Sequence, residues 1–72
     1  MIVINYVKPY IVISADYLMT GEIHIYNDNR IIKNIKVYNE STINIENDWQ
    51  TIKNLKVELV TQKENIHKTI NL

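Results

Sequence analysis

Residues 27 to 37 read NDNRIIKNIKV and residues 47 to 57 read NDWQTIKNLKV, so Asn, Asp, Ile, Lys, Asn, Lys and Val recur at an offset of twenty positions. The likeness extends upstream, where Ile43 and Ile45 repeat Ile23 and Ile25. In GEIHIYN (21 to 27) the apolar Ile23 and Ile25 alternate with His24 and Tyr26. In the second copy Leu55, Val57 and Leu59 alternate with Lys56, Glu58 and Val60. A period of two is the signature of an extended strand with one buried face, because successive side chains point to opposite sides. Between the alternating runs lie Asn27, Asp28, Asn29 and Arg30, and then Asn47 and Asp48. Asn and Asp bond their own backbone and tolerate positive φ, which is turn chemistry. Each copy (23–38 and 43–58) therefore reads as a β-hairpin of about twenty residues, the two joined at NEST (39–42). Two repeats are too few for a solenoid, which buries its faces only by stacking three or more.

The flanks add strands. IVINY (2–6) and YIVIS (10–14) are rich in β-branched and aromatic residues around a turn at Val7, Lys8 and Pro9. ADYLMTG (15–21) is the least regular stretch and holds the only glycine. The tail QKENIHKTINL (62–72) leaves two readings open, a last edge strand around Ile66 to Leu72 or a loose end. At 72 residues the chain is one domain. The expectation is an all-β fold of five to six short antiparallel strands, a small sandwich or open barrel built around the duplicated hairpin. The alternative is α+β with residues 48–64 helical: Asp48 would act as N-cap, and Trp49, Ile52, Leu55 and Leu59 fall at helical spacings. The strand reading places Ile35, Val37, Leu55, Val57 and Leu59 in the core. It turns Ile32 and Ile52 outward, beside Asn34, Lys36, Tyr38, Asn54, Lys56 and Val60. That outer face is half apolar, which is unusual for a sheet facing solvent and predicts something that covers it.

The phrase GEIHIYNDNRIIKNIKV (21–37) resembles a strand pair of small immunoglobulin-like and arrestin-like sandwiches, in which a glycine-led strand ends at Asn and its return carries alternating aliphatics. The resemblance is one of β pattern and brings no functional residue with it.

Composition narrows the chemistry. With no cysteine, disulfides and thiolate catalysis are absent. One glycine cannot build a phosphate-binding loop, which needs several positive-φ positions. His24 and His67 lack metal-ligand spacing, so no metal is expected, and no cofactor. No GxSxG elbow marks a nucleophile. Asp28 and Asp48 are the nearest thing to paired carboxylates, and turn bonding accounts for both. The opening MIVINYVKPYIVISA lacks a basic leader, and Asn5, Lys8 and Pro9 interrupt it. A signal peptide or membrane span is therefore not expected, and a cytoplasmic setting is, in a host cell if the chain is virus-encoded. Eight basic and eight acidic residues cancel, so no global field steers the chain to nucleic acid or anionic lipid.

The functional expectation is a small non-enzymatic protein-interaction or structural module, of a kind that phages and mobile elements encode. It would act by burying Trp49, Ile32, Ile52, Tyr26 and Tyr38 against a second copy or a partner protein, with Lys36 and Lys56 at the same surface. Trp49 stands where the first copy has Asn29, and it suits either a lid folded onto the core or an interface anchor. The alternative function is a nucleic-acid-binding β-barrel using the Lys and Tyr residues. Against it, Lys33 and Lys36, three apart on a strand, face opposite sides and cannot join one patch.

Overall fold

A computed structural model describes residues 1–48 and 52–72. Five antiparallel strands run in chain order, β1 (Ile2–Val7), β2 (Tyr10–Asn27), β3 (Arg30–Glu46), β4 (Asn54–Thr61) and β5 (Asn65–Asn71), and their sheet curls into an open half-barrel. The fold is all-β, and β4 is a strand where the alternative reading had a helix. No helix among the described residues is long and apolar enough to cross a membrane.

β2 is the spine. Its first half takes β1 on one edge (Ile4 opposite Ile13) and the end of β3 on the other (Ile43 opposite Ile13). Its second half takes the start of β3 on one edge (Ile35 opposite Ile23) and β4 on the other (Leu59 opposite Ile23), and β5 then adds to β4. The molecule thus has a three-stranded end, β1-β2-β3, and a four-stranded end, β3-β2-β4-β5.

The connections follow their residues. Lys8 and Pro9 turn β1 into β2 across a cis peptide bond. Asp28 and Asn29 turn β2 into β3 with φ of 50° and 64°. Two successive positive φ values give the mirror-image turn whose twist matches a hairpin, and Asn and Asp tolerate them. Between the two ends, β2 and β3 lose their regular register around Met19, and Asn39 takes φ 52°. Here Gln62, just past β4, supplies what the sheet lacks. Its Oε1 accepts from the Thr20 N–H at 2.9 Å, its Nε2 donates to the Leu18 carbonyl at 3.0 Å, and its backbone N–H reaches the Thr20 carbonyl at 3.1 Å. The backbone groups of Leu18 and Thr20, which the irregular register leaves without a strand partner on this side, thereby find one in Gln62. Gly21 is required at this corner by close approach: a Cβ there would lie 1.8 Å from the Val60 carbonyl oxygen of β4.

The core sits on the concave side. Ile4, Ile11, Ile13, Met19, Ile23, Ile25, Val37, Ile43, Ile45, Leu55, Val57, Leu59 and Ile70 are buried, with no polar side chain among them. The alternation expected for both copies therefore holds at Ile23, Ile25, Ile43, Ile45, Leu55, Val57 and Leu59, and Ile35 packs against the same cluster.

Three expectations are corrected. The second copy is not a hairpin: β3 does not pair with β4, and both attach to β2 at different ends. Residues 39–42 are not a junction between hairpins but lie within β3, and β2 and β3, at 18 and 17 residues, are long strands bent in the middle. Finally, Ile32 and Ile52 are half-buried and pack on the core instead of facing outward. For Ile32 the cause is a bulge. Ile25 pairs with Lys33 while the next residue, Tyr26, pairs with Ile31, so Ile32 is the extra residue and the parity of β3 changes there.

Candidate interaction surface

The convex side of the four-stranded end is a grid whose rows follow from the registers. Lys36, Glu22, Val60 and Asn65 form one row; Asn34, His24, Glu58 and His67 the next; Ile31, Tyr26, Lys56 and Thr69 the third. Tyr26, Lys36 and Lys56 thus share one face, as expected from strand parity. Lys33 pairs with inward-facing Ile25 and lies off it.

The centre of the grid is a polar network. The Tyr26 hydroxyl donates to Glu58 Oε1 at 3.1 Å, and His24 Nδ1 lies 3.1 Å from the same oxygen. On its other side, His24 Nε2 is 3.5 Å from Glu22 Oε2. The imidazole stands between two carboxylates, its ring meeting Tyr26 edge-on at 6.4 Å between centroids. The bond from His24, then that from Tyr26, holds the Glu58 carboxyl below the ordinary glutamate value against the opposing effect of desolvation. The same carboxylate pushes the Tyr26 hydroxyl upward. Lys56 Nζ sits 5.7 Å from the Tyr26 ring centroid, within cation–π reach. Among the described residues no group of three or more metal-ligating side chains converges.

This face is more polar than the sequence suggested. With Ile32 and Ile52 turned to the core, only Ile31, Tyr26 and Val60 are apolar in the grid. Ile31, at the row's edge, is 52 % exposed, and Tyr38, one step beyond Lys36 along the outward positions of β3, is 76 % exposed. Trp49 falls outside the described residues. The convex side of the three-stranded end carries an apolar group the sequence reading missed: Val3, Val7 and Tyr10 are exposed around half-buried Val12. The signal was present in the alternation of IVINYV, but its outward side was assigned no role.

The edges differ as much as the faces. β1 and β5 face each other across a groove of about 300 Å³ lined by residues 2–4 and 66–68, and Lys68 Nζ spans it to the Ile4 carbonyl at 2.7 Å. A second hollow, of about 520 Å³, opens beside Tyr6, Pro9, Ile52 and Leu72. By contrast, β3 pairs along one side only, with β2, and among the described residues its other edge meets no strand over 17 residues. It contains neither proline nor glycine. A strand edge that no other strand covers is the ordinary template for strand addition.

Comparison with protein-family models, with curated proteins and with solved structures found no match.

Proposed function

We propose that the chain is a non-enzymatic protein-interaction or structural module that acts through β3, using its open edge and the exposed Ile31 and Tyr38 beside it. That the edge of β3 away from β2 meets no other strand among the described residues is the observation that carries this reading. Strand addition supplies main-chain hydrogen bonds for affinity, and neighbouring side chains select the partner. A domain of 8.5 kDa also has little core, so association adds stability it can use.

The nucleic-acid reading is supported less well. Lys36, Lys56 and Tyr26 do share one face, but Glu22 lies in the row of Lys36 and Glu58 in the row between Lys36 and Lys56, so a phosphate backbone would meet as much negative charge as positive.

Light scattering of the full chain from micromolar to millimolar tests the proposal. A mass that rises with concentration, and that falls back on Ile31→Asp or Tyr38→Asp while the far-ultraviolet spectrum is unchanged, is the expected result. A chain that stays monomeric and binds single-stranded oligonucleotide with affinity lost in salt and on joint Lys36→Ala and Lys56→Ala replacement overturns it.

A further inference from the structure

The two strands that border the groove, β1 and β5, carry one charge between them. Among the described residues β1 pairs only with β2 and β5 only with β4, so no strand covers the edges they turn to the groove. β1, IVINYV, has four β-branched residues and neither proline, glycine nor a charged side chain. In β5, NIHKTIN, Lys68 is the only Lys, Arg, Asp or Glu. Uncharged, β-branched edges of this kind recruit strands from other copies unless something blocks them.

That one charge stands on the core-facing side. Lys68 is directly opposite Val57, between Ile66 opposite Leu59 and Ile70 opposite Leu55, and all three of these β4 residues are buried. Directly opposed residues share a face. An ammonium therefore occupies a position where the alternation of β5 calls for an aliphatic side chain. It crosses the groove to the Ile4 carbonyl at 2.7 Å. The lining of the groove is otherwise Ile2, Val3, Ile4, Ile66 and His67, with no acidic residue, so a main-chain oxygen stands where a counter-ion would. His67 points to the opposite face, across from Glu58.

We infer that Lys68 guards this seam: its inward charge, held on the Ile4 carbonyl, keeps the β1 and β5 edges from taking up β1 of a second copy. A strand seated in the groove has to break that bond and cover Lys68, which is exposed while the groove stays open. The ammonium is then left among isoleucines with no carboxylate to meet it. Burying an unpaired charge is costly, which is why an inward-pointing lysine blunts an edge. This goes beyond the β3 reading, since it concerns edges kept closed and not one in use.

Substitution at Lys68 tests the guard. Lys68→Met keeps a long unbranched side chain and removes the charge, whereas Lys68→Arg keeps the charge. Incubated at one concentration and followed by light scattering and thioflavin fluorescence, the Met variant should form sheet-rich assemblies roughly tenfold sooner than the parent chain, and the Arg variant should match the parent. Val3→Lys, at an exposed position on the opposite wall of the groove, should return the Met variant to the parent's behaviour. Leu18→Lys, also exposed but outside the groove lining, should not. Rescue by Val3→Lys alone supports the guard even where the Met variant is less stable, because a lysine at Val3 replaces no contact that Lys68 made and only returns charge to the seam. A Met variant that assembles no sooner than the parent, or whose assembly the two added lysines suppress equally or not at all, overturns the guard and leaves the β3 reading standing.

Discussion

The phrase at 27–37 and its repeat at 47–57 share seven residues in register, yet they are built into the sheet in different ways. In the first, Asp28 and Asn29 hold positive φ and close a two-residue turn, so the strands on either side pair with each other. In the second, the strands on either side part, β3 to the first half of β2 and β4 to the second half. What the copies keep in common is which side chains face inward: Ile23 and Ile25 in one, Ile43 and Ile45 in the other, Val37 and Val57 after the turn. Repetition of side-chain alternation specifies a buried face. Choice of partner strand is specified separately, by turn geometry and by where the backbones approach closely.

Substitutions separate these two kinds of information. The largest effect is expected at Gly21, where a methyl group would collide with backbone, not with a yielding side chain. Gly21→Ala should cost more than about 3 kcal/mol in denaturant titration, enough to unfold a domain this small. Next come the equivalent core positions of the two copies. Ile25→Ala should cost about 3 kcal/mol and Ile45→Ala about 2 kcal/mol by the same measurement, because Ile25 lies between two paired strands and Ile45 lies on the outermost strand of its end. Equal losses would show that the copies are energetically alike despite their different pairing.

The turns should differ in the same sense. Asn29→Ala should destabilise by about 1 kcal/mol, since alanine resists φ of 64°, whereas Asp48→Ala, in no tight hairpin, should change stability by less than about 0.5 kcal/mol. The smallest effect concerns Glu58, a position with no counterpart in the first copy's turn or core. Its folded carboxyl titrates below its unfolded value of 4.5. Its contribution is therefore present above about that pH and is lost as pH falls through the lower, folded value. Stability measured from pH 6 to pH 3 should fall less steeply in Glu58→Gln than in the parent chain.

Much of the architecture was legible from alternation alone. Period two placed Leu55, Val57 and Leu59 inward, Asn and Asp chemistry identified the turn at Asp28 and Asn29, and of the two readings open for the tail, a last strand near Ile66 to Leu72 or a loose end, β5 is the first. Lys36, Lys56 and Tyr26 fell on one outward face as strand parity required. Alternation failed where the register slipped. A single extra residue at Ile32 reverses parity, and nothing in IIKNIKV announces it, because a bulge is settled by the strand opposite. The continuity of β2 through ADYLMTG was hidden for a related reason: its backbone there is completed by Gln62, over forty residues away. The network of His24, Glu58 and Tyr26 likewise joins residues that only the β2–β4 register makes neighbours.

β2 is hydrogen-bonded to β1, β3 and β4, and only β5 lies beyond its reach. A chain organised about one central ribbon has no half that survives alone, since removing that ribbon leaves the other segments without partners. Fluorescence, circular dichroism and calorimetry should accordingly report the same melting transition. Assembly, which must bring distant segments together before any of them is rewarded, should take milliseconds to seconds and not microseconds.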